Sequence, residues 1–320
     1  MITVAGEALV DLLVDPAGDV TVHPGGAPLN VARALARLGV ECCFLGRVSE
    51  DALGGLLLSE LRDAGIGVPI TAPVQAPTTL ALAALAPSGH AEYRFYLDGT
   101  SAGELRPQDI PATLAGETRV LVLGGLGLLI EPMAGTLLGL LSRVPDDAVV
   151  MLDPNCRPGA IRDAESHRRV IEAVCERADI VKASREDLEI LAPGLDPGAA
   201  ARRAFGARPR AVVITDGPGP VTLLCGTREV QVPVPHVGVV DTVGSGDALV
   251  AAFIAWWTAR SLSAGDLCDI RQLGDAVRAA VEVAALTCMA AGAEPPRIPG
   301  WALRTAAAGE MITALQSQRG

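Results

Sequence analysis

Lysine appears once in this chain of 320 residues, at Lys182, and aromatic residues make up only 3% of it. A phosphate-binding P-loop, G-x-x-x-x-G-K-[ST], needs its lysine directly after a glycine, and Lys182 lies in no such loop. That nucleotide-binding device is excluded. No G-x-G-x-x-G follows the first strand-like stretch, which disfavours a dinucleotide-binding crossover. A basic surplus is also missing. The net charge of −11 and pI near 4.9 argue against nucleic acid or an anionic membrane surface as partner, so an anionic ligand must be held by local N–H groups and single cations. The seven cysteines, Cys42, Cys43, Cys156, Cys175, Cys225, Cys268 and Cys288, form no C-x-x-C pair and read as small core residues of a reducing compartment. His23, His90, His167 and His236 are scattered without ligand spacing, so no zinc site is expected. No apolar run reaches spanning length, and the first residues lack the basic head and apolar body of a signal peptide, so a cytoplasmic protein is expected.

What is present is apolar residues in quantity, 50% of the chain, enough for a sizeable core. The informative stretch is Asp241-Thr242-Val243-Gly244-Ser245-Gly246-Asp247, followed by the apolar run Ala248-Leu249-Val250-Ala251-Ala252-Phe253-Ile254. Two glycines around one small residue, then an apolar run, describe a loop that tightens and opens into a buried helix. The N–H groups of Gly244, Ser245, Gly246 and Asp247 are expected to be unpaired there, and with the positive end of the helix dipole they make a cradle for an anion. Asp247 inside that cradle reads either as a general base or simply as a helix cap.

The string resembles the carboxy-terminal signature of the ribokinase-like carbohydrate kinases, D-T-x-G-A-G-D, with Ser245 in place of alanine. A second stretch, Gly25-Gly26-Ala27-Pro28-Leu29-Asn30-Val31-Ala32 with Gly39 and Gly46 downstream, looks like the same family's amino-terminal signature. The resemblance implies ATP-dependent phosphorylation of a sugar hydroxyl, with Asp247 as catalytic base and Gly244, Ser245 and Gly246 as the anion hole. It also implies a three-layer α/β/α fold with a mostly parallel sheet and a small β-sheet lid. The whole of 1–320 is then one kinase domain, with lid segments at about 12–24 and 72–102 inserted in it.

Taken in order, residues 2–14 alternate as one strand that places Glu7, Leu9 and Asp11 on one face. In the family, the Asp of a similar G-E-x-x-x-D stretch binds sugar hydroxyls, which makes Asp11 a substrate contact and leaves Glu7 undecided. Gly25 and Gly26 turn into a helix through Leu29, Ala32, Leu35 and Leu38 that ends at Gly39, and Asn30 offers a donor and an acceptor to a hydroxyl-rich molecule. By the same resemblance all three bind the sugar. After a helix near 53–64, alternating runs at 78–86 and 90–97 flank Pro87-Ser88-Gly89 as a hairpin. Such strands form the family's lid, which often mediates dimerisation, so a homodimer through the lid is expected. Tyr93 and Phe95 fall on the opposite face from Arg94, and Phe95 is a candidate substrate contact.

Short apolar runs at 120–123, 149–152, 180–181 and 211–214 alternate with helical patterns, the rhythm of parallel strands with crossover helices. Ligands of such sheets bind at the carboxyl ends of the strands. Asp153-Pro154-Asn155-Cys156-Arg157 resembles the D-P-N-x-R of fructokinase-like members, with Arg157 as a clamp for anionic oxygens. Lys182-Ala183-Ser184-Arg185-Glu186-Asp187 stands where relatives carry N-x-x-E to organise magnesium and phosphate. Lys182 and Ser184 are therefore ATP-site candidates, and Asp187 or Glu186 the magnesium candidate. Thr215-Asp216-Gly217-Pro218-Gly219-Pro220 resembles the nucleotide turn T-x-G-x-x-G, which adds Thr215, Gly217 and Gly219, with Pro220 in place of the second glycine. Ala291-Gly292-Ala293 resembles the segment closing the adenine pocket, which adds Gly292 and puts a monovalent cation site, such as for potassium, beside Asp241. The motifs together look most like fructokinases, with 2-keto-3-deoxygluconate kinase, ribokinase or a nucleoside kinase as alternatives. A non-catalytic sugar or nucleotide sensor is the alternative of a different class.

Overall fold

The structure, a computed structural model, describes residues 1–70, 72–85 and 91–301. Its frame is an eight-stranded sheet in the order β12-β11-β10-β9-β8-β7-β1-β4. The parallel part comprises β1 (Ile2–Ala5), β4 (Cys43–Leu45), β7 (Val120–Gly124), β8 (Val149–Asp153), β9 (Ile180–Ser184) and β10 (Ala211–Thr215). Two strands beyond the expected rhythm, β11 (Val221–Cys225) and β12 (Arg228–Val232), extend it antiparallel. Neighbouring residues of the parallel strands point to opposite faces, and both faces are apolar because helices cover both. Val4, Val122, Met151 and Val213 meet α1 (Ala27–Arg37), α2 (Ala52–Asp63), α8 (Ser245–Ala259) and α9 (Ile270–Thr287). Ala5, Leu123, Leu152 and Ile214 meet α3 (Ala112–Glu117), α4 (Met133–Leu141), α5 (Ala164–Cys175), α6 (Arg185–Leu191) and α7 (Pro197–Phe205). The three-layer α/β/α arrangement is the one expected.

A second sheet carries β3 (Val20–Gly25), β2 (Leu9–Val14), β5 (Leu80–Leu85) and β6 (Ala91–Tyr96), in that order. It corrects the reading of residues 2–14 as one strand. The chain leaves the large sheet after Ala5, kinks at Gly6 with φ +151°, and enters the small sheet at Leu9, so Glu7 belongs to the crossing between them. A Cβ on Gly6 would lie 2.5 Å from Pro28 Cγ, which is why the kink takes glycine. The turn 86–90 lies outside the described residues, though β5 and β6 pair antiparallel as expected of a hairpin.

The helix that follows the glycine loop is buried on every side, as its unbroken apolar run requires. All of Asp247 to Trp257 is buried, with α8 packed against both α1 and α9. All seven cysteines are free; Cys268 is exposed, unlike the core position expected of it. Among the described residues no helix is long and apolar enough to cross a membrane.

Candidate active site

Two helix starts meet at the centre of the site. Helix α1 begins after Gly26, at φ +104°, and a Cβ there would lie 2.7 Å from the Glu7 carbonyl. Helix α8 begins after Gly244, in the left-handed region at φ +75°, where a Cβ would lie 2.5 Å from that of Ala293. Both starts therefore demand glycine, and neither has a side-chain cap. Asn30 on the second turn of α1 and Asp247 on the first turn of α8 meet between them, Nδ2 donating to Oδ2 at 2.9 Å. Burial raises the Asp247 carboxyl to about 6, reinforced by Asp153 and opposed by Asn30, Lys182 and Arg157. Such a carboxylate is ionised at neutral pH yet basic enough to accept a proton. The amide oxygen of Asn30, Oδ1, is buried with no partner among the described residues.

The loop before Asp247 differs from expectation in one donor. The Ser245 N–H turns back to the Thr242 carbonyl at 3.2 Å, whereas those of Gly244, Gly246 and Asp247 have no hydrogen bond among the described residues. Gly246 leaves room for an ammonium: a Cβ there would lie 2.9 Å from Lys182 Nζ. Lys182 in turn donates to Asp153 Oδ2 at 2.9 Å, and both side chains are buried, Asp153 at the end of β8 and Lys182 two residues before the end of the adjacent β9. Burial draws the lysine down, but Asp153, Asp187 and Asp247 together hold it above its ordinary value, so it stays charged. The sole lysine is thus a buried cation beneath the cradle.

The residues of the metal candidate divide. Asp187 is spent on structure: Oδ2 accepts Ser184 N (2.7 Å) and Oγ (2.8 Å), Oδ1 accepts Cys156 N (2.6 Å), and Ser184 Oγ accepts Asp187 N (3.0 Å). This is a capping box at the start of α6. Glu186 stands exposed on the same turn. Among the described residues no cluster of three His, Cys, Asp or Glu forms a ready-made metal cage. Thr215 lies in register beside Ser184 at the strand ends, followed by a tight turn in which Gly219 N donates to Asp216 O at 2.8 Å and Gly217 is left-handed at φ +51°. Gly292 N donates to Asp241 Oδ2 at 2.8 Å, and Val243 N to Oδ1 at 3.0 Å. The second of these turns within the loop, and the first ties the 241–244 loop to the segment containing Ala293. No bond or contact among those described joins Gly217 or Gly219 to the Asp247 centre.

The small sheet supplies the opposite wall. Facing residues share one side of a sheet, so His23, Asp11, Ala81 and Phe95 form a row across the four strands. Tyr93 stacks on Phe95, ring centroids 6.3 Å apart, while Arg94 faces the other way as expected. The Asp11 carboxylate lies over Gly25, where a Cβ would be 2.0 Å from Oδ2. Burial raises Asp11 to about 6 against the pull of Arg157 and His23. Arg157 is exposed, has no ion pair among the described residues, and its charge acts on Glu7, Asp11, Asp153 and Asp247 alike.

Two residues of the site were not among the sequence candidates. Glu7 is buried, accepts Gly127 N at 2.8 Å, and is raised to about 7 by burial against those backbone bonds. Its signal was a carboxylate beside a glycine in an otherwise apolar stretch. Asp153 was visible as the first residue of D-P-N-x-R, and the sole lysine at the end of a buried strand called for such a partner.

A family model described as pfkB family carbohydrate kinase matches residues 2–299. The chain belongs to that family and is an ATP-dependent sugar kinase. It is 36% identical to a fructokinase of Rhizobium leguminosarum bv. trifolii over 80% of this chain and 79% of that protein. It is 31% identical to a probable chloroplastic fructokinase-6 of Arabidopsis thaliana over 91% and 78%. Among solved structures, the fructokinase of Xylella fastidiosa with bound ATP superposes with a TM-score of 0.84 at 26% identity, covering 100% of this chain and 99% of that one.

Proposed function

We propose that this chain transfers the γ-phosphoryl group of ATP to the 6-hydroxyl of D-fructose, giving fructose 6-phosphate and ADP. The observation that carries the reading is the meeting of Asn30 and Asp247 at two uncapped helix starts, opposite the Asp11 and Phe95 wall. The names of the relatives and the D-P-N-x-R stretch favour fructose. Asp247 takes the hydroxyl proton as the sugar oxygen bonds to phosphorus and the bond to the β,γ-bridging oxygen breaks. The unpaired N–H groups of Gly244 and Gly246, with the Lys182 ammonium beneath them, stabilise the charge on the transferred group. Asp11 and Asn30 Oδ1 hold sugar hydroxyls, and Phe95 packs against the ring. Thr215, Ser184, Gly217, Gly219 and Gly292 belong to the nucleotide side.

Magnesium accompanies ATP and, when bound, neutralises phosphate charge. The residues fit it as a water-rich ion held mainly by the nucleotide, with Glu186 rather than the fully engaged Asp187 within the protein's share. A potassium site is proposed beside Asp241, whose tie to Gly292 N brings the two loops together; activity assayed with potassium and then with sodium tests it.

Residues 1–320 are read as one domain with the small sheet as its lid. The outer face of that sheet exposes Val20, Val22 and Tyr96, 54%, 42% and 52% accessible, which supports a homodimer through the lid. Light scattering of Val22→Glu tests this, with a monomer expected. Seven unbridged cysteines support a reducing, cytoplasmic setting.

A sugar acid is the second reading, because Arg157 has no ion-pair partner among the described residues and a carboxylate substrate needs such a cation. ATP consumption with magnesium against fructose, ribose, 2-keto-3-deoxygluconate, adenosine and a no-sugar blank decides between them. Turnover highest on fructose is expected; highest turnover on the sugar acid overturns the first reading for the second.

A further inference from the structure

Helix α1 reaches the start of α8 by two routes. Asn30 touches Asp247 directly, and Arg33 and Arg37, three and seven residues further along, share that face of the helix. Both guanidiniums close on Glu294: Arg33 Nη2 lies 2.6 Å from its Oε1 and Arg37 Nη2 2.5 Å from its Oε2. Arg33 also pairs with Glu60 of α2 at 2.7 Å, and its side chain is only 7% exposed. A guanidinium so buried needs its carboxylates, and that need fixes where they stand. Glu294 in turn holds the segment before it. Its N–H donates to Gly292 O at 2.8 Å, which makes 292–294 one tight turn. Gly292 N holds Asp241 Oδ2, and Ala293 packs where Gly244 leaves no room for a Cβ. Asp241 and Gly244 bound the loop that opens into α8.

Beyond this turn the chain is fastened to the end of α1 by other bonds: Arg37 Nη1 donates to Pro295 O at 2.7 Å, and Ile298 N to Arg37 O at 3.0 Å. Within 292–294, Glu294 alone bonds to α1 among the described residues. We propose that Glu294 is a positioning residue for phosphoryl transfer: it sets the loop carrying the Gly244 and Gly246 N–H groups against the helix carrying Asn30. This role rests on that loop being the phosphate cradle and is the same for any sugar. A donor displaced by a fraction of an ångström loses its hold on the charge of the transferred group, while Asp11 and Asn30 still hold the sugar. The cost therefore falls on kcat and spares KM for the sugar.

The test compares the two carboxylates of one guanidinium in the full chain. Glu294→Gln is expected to lower kcat about tenfold, with KM for the sugar within about twofold of the parent. Amide exchange at Gly292 and in 241–244 should quicken in the same variant. Glu60→Gln takes the other carboxylate from Arg33 but leads only to α2, and should leave kcat and those amides unchanged. If Glu294→Gln does not fold by circular dichroism, Arg37→Met in the last turn of α1 removes half of the clamp and decides, with kcat expected to fall at least about threefold. A kcat within about twofold of the parent in Glu294→Gln, or an equal fall in Glu60→Gln, overturns the proposal. Gly244→Ala tells its failure from that of the cradle. If Gly244→Ala slows turnover and Glu294→Gln does not, the role of Glu294 alone is lost; if neither slows it, the loop is not the cradle and the role is lost with it.

Discussion

Among the described residues, five α-helices begin with a side chain folded back onto their first N–H groups, and the two that meet at the active site begin with glycine. Asp51, Asp163, Ser184, Asp196 and Asp269 cap α2, α5, α6, α7 and α9. Gly26 and Gly244 stand in the same position on α1 and α8 with no side-chain bond. A polar cap is worth about 1 kcal/mol over an apolar residue, and glycine forgoes its hydrogen bond. What the glycine starts gain is N–H groups open to a ligand and a close approach of two backbones, which lets Asn30 reach Asp247. The same division holds for charge. Carboxylates at the ordinary caps serve their helices, whereas Glu7, Asp11 and Asp247 are raised by burial. For a raised carboxyl, stability is fully present below the unfolded value and is lost as pH rises through the folded one, here between about 6 and 7. The site is less stable when it is competent.

The sharpest way to break this contrast is Asp247→Asn. Turnover is expected to fall by about three orders of magnitude while calorimetry finds sugar and ATP binding nearly unchanged. Turnover within tenfold of the parent would remove Asp247 as base. The same variant no longer buries a charge, so above pH 7 it should be more stable than the parent, by at most about 3 kcal/mol in urea titrations. In the parent, kcat/KM should decline as pH falls below about 6, because Asp247 is then protonated.

Next in size is Lys182→Met, which leaves Asp153 buried and unpaired at the strand ends. A loss of about 3 to 5 kcal/mol is expected, with most of it recovered in the double variant Lys182→Met, Asp153→Leu. Without that recovery the pair does not act as a unit. Gly244→Ala combines a left-handed backbone with a contact to Ala293 and disturbs the cradle. It is expected to raise the barrier by about 3 kcal/mol, read as a fall in kcat of about a hundredfold. An equal loss in Gly55→Ala, on the exposed side of capped α2 with nothing near its Cβ, would dissolve the distinction.

How much of this was legible depended on whether the information was contiguous. The Gly244 to Asp247 loop, the Gly25-Gly26 turn and helix α1 are each written in adjacent residues, and their elements stand where periodicity and glycine put them. The crossing at Glu7 was hidden because the period-two pattern runs unbroken from β1 into β2, and only the fit of Gly6 against Pro28 divides them. The Lys182–Asp153 pair depends on two adjacent strands bringing together residues 29 apart in the chain. Asp187 is the instructive case. Ser184-x-x-Asp187 is a local capping signal with a carboxylate in the reciprocal place, and the resemblance to a metal motif drew attention away from it.

The smallest effect is the control on which the contrast rests. Asp196 caps α7 by accepting Ala199 N at 3.0 Å, and Pro197 already presets the first helical residue. Asp196→Ala should therefore cost about 1 kcal/mol and lower Tm by a few degrees. It should leave kcat and KM unchanged, because among the described residues Asp196 bonds only to the first turn of its own helix, and not to Asp153 or Lys182. A stability change without a kinetic one, set beside a kinetic change in Gly244→Ala, separates helix starts that hold the fold from those that hold a phosphoryl group. If Asp196→Ala instead alters KM for ATP, α7 is mechanically joined to the nucleotide side through α6, against which it packs. The boundary between the two kinds of helix start would then run through the α6 capping box.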